Sequence, residues 1–280
     1  MKNKFTSLIL LLLLGSTCNS TTTNENKMPD NRAKIENNTT PAITIPKTIA
    51  AETDAEEYAL IALEKLNINH EDCQSSFIRE KVMPYDTDKS IVVIPKISHK
   101  EDESFFIMDA NIVVIDHLTH EIVYRYHESD AWTSDAMQLT DITIDTAPYR
   151  LNPSTRAFGI RVSYMGSSRV FPFSETVISL FIPKENRLVK ILDNYPVSRF
   201  RGENDMSCVG YSEWTENILM ISNRQTNGYN NIISKSTIRT TSYRKINKDD
   251  PDCQEKESTE YETDTLYFED GKYNFVRKGL

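Results

Sequence analysis

Short apolar segments recur from residue 90 to the end of the chain, and this recurrence restricts the fold more than any other feature. Some segments are continuous β-branched runs, such as residues 91–94, and others alternate apolar with polar residues, as at 120–127. Both patterns are typical of β-strands, whose successive side chains point to opposite faces of a sheet. Pro95 is expected to end the first of these strands. Further candidate strands lie at residues 104–116, 142–144, 157–164, 177–182, 188–192, 218–222, 230–236, 238–243, 264–268 and 273–276. The sequence therefore predicts a mainly β domain that is antiparallel and rich in hairpins.

Three of the predicted hairpins resemble one another, at residues 111–125, 177–192 and 264–276. Asp270-Gly271 at the tip of the third hairpin is a dipeptide that favours a tight turn. The hairpins start roughly 65 to 90 residues apart, which is wider than the ~40–50 residues of standard propeller blades. A threefold repeat in a sandwich-like or propeller-like domain explains this pattern, and so does the general similarity of β-hairpins.

Residues 53–68 show the periodicity of a helix. Thr53 and Glu56 stand at the spacing of a capping box, and apolar residues follow at intervals of three and four. Acidic residues are concentrated in the first turn and Lys65 lies in the last turn, and both placements stabilise a helix through its dipole. We therefore predict one N-terminal helix that packs on an edge of the β-domain.

The N-terminal segment has the composition of an export signal followed by a linker. Lys2 and Lys4 precede an unbroken Leu/Ile run at residues 8–14, which is far shorter than the ~20 residues that span a bilayer. Small residues then lead to Cys18, and the next stretch is rich in Thr, Asn, Ser, Lys and Pro. These features predict a signal peptide at residues 1–17, a flexible tether at 18–47 and a single β-rich domain at 48–280.

Cys18 resembles the lipid-modified cysteine of bacterial lipoproteins, because it directly follows the apolar and small residues. The match to that family's motif is incomplete, since Leu14 comes one position early and Gly15 and Thr17 stand at the two preferred positions. The resemblance implies that Cys18 is acylated and holds the protein in a membrane through more than one chain. Asn19, in place of an inner-membrane Asp signal, implies the periplasmic face of the outer membrane. Ordinary cleavage at the same place would instead give a freely secreted protein.

Charge and cysteine content restrict the partners and favour one disulfide. A formal net charge of −9 argues against nucleic acid, because binding phosphates requires a basic protein face. Of the 4 cysteines, three remain once Cys18 is assigned to the anchor. Cys208 and Cys253 lie in polar, loop-like contexts, so we predict a disulfide between them and leave Cys73 as the free thiol.

The sequence contains none of the short motifs that mark serine hydrolases, zinc peptidases or nucleotide-binding loops. His117 and His120 flank a predicted hairpin tip, where they can contribute to a zinc site or be ordinary exposed loop residues. Residues 223–231 faintly resemble the calcium loops of integrin-type propeller repeats, but they carry Asn and Gln where those loops need Asp. Asn227-Gly228 alone accounts for a hairpin turn there. We therefore expect neither a cofactor nor a metal ion.

The densest polar segment, from Asp141 to Arg169, is the candidate interaction site. Arg156 and Arg161 lie on or beside a predicted strand, and Asp141 or Asp145 on a neighbouring strand can form bidentate pairs with them. One interpretation is a structural network across the sheet. The other is a face that binds an anion or a partner protein, with Arg169 on a mobile loop. Two aromatic residues nearby are either interface anchors or core residues: Trp132 and Tyr149.

Residues 131–136 (Ala-Trp-Thr-Ser-Asp-Ala), 145–149 and 155–161 resemble an uncharacterised family of exported proteins from Gram-negative bacteria. The resemblance covers roughly residues 90–200, supports export and implies no activity. We expect a binding or interaction module of the cell envelope, whose acidic charge suits a basic envelope protein as partner. The alternative is a periplasmic hydrolase whose active site is assembled by the fold. A deep pocket with His, Ser or Asp would favour the hydrolase, and a flat aromatic patch would favour the binding module.

The substitution Cys18→Ala tests the predicted anchor. If Cys18 carries the lipid, the variant moves from the membrane fraction to the soluble fraction, because the acyl chains supply ~0.8 kcal/mol per buried methylene. Fractionation followed by immunoblotting measures the change, with Cys73→Ala as the control that should stay in the membrane fraction. Equal membrane association of wild type and Cys18→Ala would contradict the prediction.

Overall fold

The computed structural model describes residues 57–205, 207–246 and 253–275, and the chain within them is mainly β, as predicted. The predicted signal peptide, the tether and Cys18 lie outside these ranges. The described residues contain one α-helix, α1 (Glu57–Leu66), and two 3₁₀ turns, at His70–Asp72 and Ser75–Phe77. The strands are β1 (Arg79–Met83), β2 (Asp86–Lys100), β3 (Phe106–Asp116), β4 (Ile122–Ser134), β5 (Met137–Arg150), β6 (Arg156–Gly166), β7 (Phe173–Lys184), β8 (Arg187–Asn204), β9 (Gly210–Thr226), β10 (Tyr229–Lys245), β11 (Cys253–Leu266), β12 (Phe268–Glu269) and β13 (Lys272–Tyr273).

Eleven of the described strands form a single sheet in the order β1-β2-β3-β4-β8-β7-β6-β5, and β9, β10 and β11 continue from β8. Neighbouring strands are antiparallel except β4 and β8, which meet in parallel at one residue pair. Side chains join the outer strands β1 and β5: Arg79 binds Asp141 at 2.7 Å, and Lys81 Nζ donates to the Ile144 carbonyl at 3.1 Å. The first eight strands therefore close almost completely into a barrel. This single, nearly closed antiparallel sheet agrees with the sandwich-like alternative and not with the propeller-like one.

The barrel interior is filled by apolar side chains that alternate along both four-stranded halves. Each one points inward because side chains two residues apart share a face of the sheet. Their removal from water supplies the main driving force for folding, at ~25 cal/mol per Å² of apolar surface. The most deeply buried members of this cluster include Ile91, Val93, Met108, Ile112, Ile142, Phe158 and Ile160.

Helix α1 covers the outer surface of β2 and β3. It lies inside the predicted segment 53–68, and the predicted capping residues Thr53 and Glu56 lie outside the described ranges. With the barrel interior on one side and α1 on the other, these strands are buried on both faces, which explains the continuous apolar run at 91–94. In the described ranges, no helix has both the length and the apolar character needed to cross a bilayer. The cluster under α1 consists of Ala59, Ala62, Leu63, Cys73, Val92, Ile94, Val113 and Ile115.

Pro95 does not end its strand, contrary to the expectation from sequence, since β2 continues to Lys100. The Pro95 carbonyl accepts a hydrogen bond from the Gln74 N–H at 3.1 Å, on the side away from β3. The N–H and C=O of one residue in an antiparallel strand point to the same side. The N–H that proline lacks would therefore point away from β3, so Pro95 removes no hydrogen bond from the pairing of β2 with β3.

Strands β8 to β11 form an antiparallel meander that extends from the barrel. Asn227 and Gly228, with φ of 51° and 82°, make the tight turn between β9 and β10 that the dipeptide predicts. The third predicted hairpin is only the two-residue ladder of β12 and β13, so it does not repeat the other two hairpins. A second apolar cluster joins the meander to the barrel through Ile178, Leu180, Leu192, Tyr195, Ile232, Leu266, Phe268 and Tyr273.

The disulfide between Cys208 and Cys253 forms as predicted and links the β8–β9 connection to the first residue of β11. Its sequence separation of 45 residues corresponds to about 4 kcal/mol of stabilisation in the chain-entropy model. Cys73 is a buried free thiol. Burial, and then the Asp72 carboxylate, raises the pKa of Cys73 to about 11, so this thiol stays protonated and unreactive at neutral pH.

Candidate functional site

The Arg161 guanidinium binds the Asp145 carboxylate across β5 and β6, with Nε at 2.8 Å and Nη2 at 2.6 Å from Oδ2. The same carboxylate accepts hydrogen bonds from the Ala147 N–H at 2.8 Å and the Tyr149 hydroxyl at 2.9 Å. Burial favours the neutral acid, but the bonds from Ala147, Arg161 and Tyr149 outweigh it and hold the pKa of Asp145 below its usual value. This is the cross-strand network that the structural interpretation predicts.

Of the other predicted interaction residues, Tyr149 meets Arg161 at the Asp145 carboxylate, and Arg156, Arg169 and Trp132 do not join this network. Arg156 donates to the Thr146 carbonyl at 3.0 Å and lies 3.8 Å over the Tyr85 ring, so it is engaged in the fold. Trp132 and Tyr149 are buried in the two apolar clusters, so both occupy core positions and neither can anchor a partner. Arg169 alone is exposed, in the connection between β6 and β7.

The two histidines at the β3–β4 turn pack against α1. His117 stacks on Tyr58 with ring centroids 4.2 Å apart, and its Nε2 lies 3.0 Å from Ser90 Oγ. His120 meets the same tyrosine ring edge-on. These contacts pack the β3–β4 turn against α1. Among the residues that the structure describes, no group of three or more His, Cys, Asp or Glu is placed to hold a metal ion.

A third histidine, His127 on β4, has the connectivity of a catalytic triad. Its Nδ1 lies 3.0 Å from Asn111 Oδ1, and its Nε2 lies 3.4 Å from Ser129 Oγ. The Asn111 amide donates to the Ile94 carbonyl at 3.3 Å, which turns its oxygen toward His127. With the Asn111 amide in this orientation, the tautomer with its proton on Nδ1 satisfies Oδ1 and leaves Nε2 to accept a hydrogen bond from Ser129. His127 and Ser129 both lie exposed on the strand surface.

One face of the meander carries large apolar side chains in contact with solvent, and none of these residues was a candidate site from the sequence. Cross-strand pairs put its members on the same side of the sheet. Phe200 on β8 lies opposite Trp214 on β9. Thr237 on β10 lies between Glu216 on β9 and Tyr261 on β11. Ile218 is 65% exposed and Tyr261 is 79% exposed. We call this surface the apolar face. Its charged members include Glu216, Lys235 and Arg239. Its apolar members are Phe200, Trp214, Ile218, Met220, Ile233 and Tyr261.

The apolar face ends at an acidic edge strand. β11 pairs only with β10 in the described part of the chain, and twelve of its fourteen residues are exposed. Charged side chains on an edge discourage pairing with strands of like charge. Strand β11 carries one lysine, Lys256, against the acidic residues Glu255, Glu257, Glu260, Glu262 and Asp264.

A cleft of about 610 Å³ lies on the opposite side of β8 and β9 from the apolar face. Its described lining contains no His, Ser, Cys or Asp, and its carboxylate, Glu175, is paired with Arg199 at 2.7 Å. Comparisons with family models, curated proteins and solved structures gave no match to this chain. Function therefore has to be inferred from these surfaces and their chemistry.

Arg161→Ala tests the structural interpretation of the arginine cluster. The Asp145 side chain is 13% exposed, so loss of its ion pair should cost about 2 kcal/mol, and the Tm should fall by roughly 5 °C. Differential scanning calorimetry measures this change. Arg169→Ala is the matched control and should stay within ~0.5 kcal/mol of wild type. Equal melting of wild type and Arg161→Ala would show that the pair contributes nothing.

The same comparison has a defined pH dependence. The pKa of Asp145 is depressed in the folded protein. The contribution of Asp145 to the free energy of unfolding is therefore complete above its unfolded pKa of ~3.9, and it is lost as the pH falls through its folded pKa. The stability difference between wild type and Arg161→Ala should therefore narrow at acid pH. A difference that stays constant from pH 7 to pH 3 would contradict the assignment of the effect to this ion pair.

Proposed function

We propose that this chain is an exported cell-envelope protein, anchored through a lipid on Cys18, whose apolar face binds a partner protein with a basic surface. The observation that carries the proposal is the exposed apolar face beside the acidic strand β11. The lipid anchor holds the β-domain at the periplasmic face of the outer membrane, and the polar segment at 18–47 connects the two.

The composition of the apolar face suits protein recognition. Trp214 and Tyr261 are large, partly polar rings of the kind that dominate binding energy in interfaces. Ile218 and Met220 lie beside them on the same strand face and supply aliphatic contact surface. Soluble monomers seldom leave several such side chains together in water, because each exposed Å² of apolar surface forgoes ~25 cal/mol of burial energy.

The charge pattern selects a basic partner over a second copy of this chain. A second copy added along β11 would place glutamates opposite glutamates, which destabilises strand pairs. A Lys- or Arg-rich segment would instead meet complementary charge at the acidic positions of β11. The formal net charge of −9 adds long-range steering that speeds the encounter with a basic protein.

Export is supported by two separate features of the chain. The apolar run and Cys18 have the pattern of a lipoprotein signal. The disulfide between Cys208 and Cys253 is of the kind that persists in oxidising compartments and is rare in the cytoplasm. The two observations are independent, since one rests on the leader and the other on the distance between two side chains in the folded domain.

Hydrolase activity at Ser129 is a second candidate function, and the Ser129–His127–Asn111 arrangement favours it. That arrangement has the order of groups in a catalytic triad, nucleophile, base and orienting group. The 3.4 Å separation of Ser129 and His127 is loose for such a pair. The apolar face remains the better supported site. Exposing large apolar side chains to water is unfavourable and calls for a functional explanation, whereas a hydrogen-bonded serine on a strand does not.

The double substitution Ile218→Ser and Met220→Ser tests the binding function. We expect affinity capture from the cell envelope to recover a basic protein with wild type and at least tenfold less of it with the variant. The variant removes buried contact surface from the complex at little cost to the free protein, since exposed substitutions change stability by ~0.5 kcal/mol or less. Quantitative mass spectrometry of the captured proteins gives the ratio.

Leu118→Ser is the matched control, since Leu118 is 91% exposed on the β3–β4 turn and lies outside the apolar face. It should capture the partner as wild type does. Glu257→Gln with Glu260→Gln should slow association, most clearly at low salt, where exposed charges are least screened. An acidic or neutral captured protein, or equal capture by the apolar-face variant and wild type, would contradict the proposal.

A fluorophosphonate probe tests the hydrolase alternative, because such probes label only serines that a base activates. An inactive Ser129 gives the same background labelling in wild type and Ser129→Ala, which is the result we expect. Labelling of wild type that disappears in both Ser129→Ala and His127→Ala, measured by in-gel fluorescence, would assign the protein to the hydrolases.

A further inference from the structure

The cleft behind β8 and β9 is framed by backbone contacts on two sides. The Gly202 N–H donates to the Pro172 carbonyl at 3.0 Å, and the Asn204 N–H donates to the Val170 carbonyl at 3.0 Å, so the β6–β7 connection is fixed along β8. A Cβ atom at Gly202 would lie 2.8 Å from the Tyr211 carbonyl oxygen, so only glycine allows this approach. These backbone contacts set the positions of the cleft walls, and walls that are largely pre-formed are typical of small-molecule sites.

The lining of the cleft is mostly apolar and aromatic. Its volume of about 610 Å³ lies within the ~300–1,000 Å³ of typical small-molecule sites. Tyr164 packs at its inner end against the barrel interior, and Phe171, which is 59% exposed, stands at its mouth. The other lining residues that present apolar surface are Met137, Pro172, Phe173 and Tyr211.

Two ion pairs border this apolar space. Arg199 donates to Glu175 Oε1 from Nε at 2.8 Å and from Nη2 at 2.7 Å, and the Glu175 side chain is only 7% exposed. Arg201 donates to Glu213 at 2.9 Å and 3.3 Å. Each arginine is matched by one carboxylate, so the formal charges cancel. The cleft therefore offers donors and acceptors without attracting a net cation or anion.

The inner tyrosine adds a neutral hydrogen-bonding group. Burial, and then the Glu175 and Asp135 carboxylates, raises the pKa of Tyr164 to about 12. Its hydroxyl therefore stays protonated at neutral pH and can donate. A molecule that fills the cleft meets aromatic walls along most of its length and polar groups at Glu175, Arg199 and Arg201.

We infer that this cleft binds an uncharged amphipathic small molecule, with an aromatic or acyl body against the aromatic walls and a hydrogen-bonding end at the Glu175–Arg199 pair. The site is separate from the apolar face, because Arg199 and Arg201 alternate with Phe200 along β8 and point to the opposite side. Ligand binding at the cleft and partner binding at the apolar face can therefore be tested independently.

Titration with N-phenyl-1-naphthylamine, an uncharged fluorescent amine, tests the inference. Wild type should bind it saturably, with a Kd in the micromolar range and one site per chain. Phe171→Ala should weaken binding about threefold to tenfold, since it removes one wall. Met137→Trp should abolish binding by filling the cleft. Thermal melting of each variant must match wild type for the comparison to count, and Phe171→Ala meets this condition because its side chain is already exposed.

Ile218→Ser is the control on the apolar face and should bind the dye as wild type does. The anionic relative 8-anilinonaphthalene-1-sulfonate should bind at least tenfold more weakly, because the cleft has no net positive charge. Absence of saturable binding, or equal binding by wild type, Phe171→Ala and Met137→Trp, would overturn the inference. Loss of binding in Ile218→Ser alone would place the dye on the apolar face and overturn it too.

Discussion

The pairing of strand β8 on both of its edges is the constraint on which the rest of the structure depends. Its first half pairs with β7 inside the barrel, and residues 198–201 pair with β7 and β9 at the same time. A strand shared in this way joins the barrel and the meander into one sheet. Because its side chains alternate between faces, the same stretch supplies Phe200 to the apolar face and Arg199 and Arg201 to the cleft. The two candidate sites are therefore opposite surfaces of one strand.

The ion pairs in this protein perform two different tasks. At the seam between β1 and β5, Arg79 and Asp141 are partly exposed and take the place of the backbone hydrogen bonds that would close the barrel. Such a pair adds little stability, since water competes for both groups. Glu175 and Arg199 are buried, and removing both charges from water costs several kcal/mol per ion before their attraction offsets it. A pair of apolar side chains would stabilise the same position as well or better, so this pair is best explained by the polar chemistry it brings into an apolar cleft.

The sequence predicts those features that depend on neighbouring residues. The helix, the strands with apolar alternation and the Asn227-Gly228 turn are local patterns, and all three are present. Most of strand β11 was missed because an edge strand in water needs no apolar period, and its alternating Glu and Thr residues resemble a loop. The apolar face and the cleft were missed for another reason. Their residues come from distant positions, and only the register between strands brings Trp214 next to Phe200 or Arg199 next to Glu175. Trp132 and Tyr149 were candidates for a surface because composition alone does not show which face of a strand is inside.

The redox state of the compartment decides whether the disulfide is formed, and the disulfide limits local unfolding at both candidate sites. Strand β11 buries almost nothing along twelve of its residues, so the hydrogen-bonded ladder to β10 and the bond at Cys253 hold it in place. The same bond fixes Cys208 within the β8–β9 connection, three residues before Tyr211 at the cleft. A segment with few apolar contacts opens locally at a low free-energy cost, and a covalent link limits that opening. In a reducing compartment the acidic edge would therefore fray first, together with one border of the cleft. An oxidising compartment would keep this disulfide formed and so preserve both surfaces.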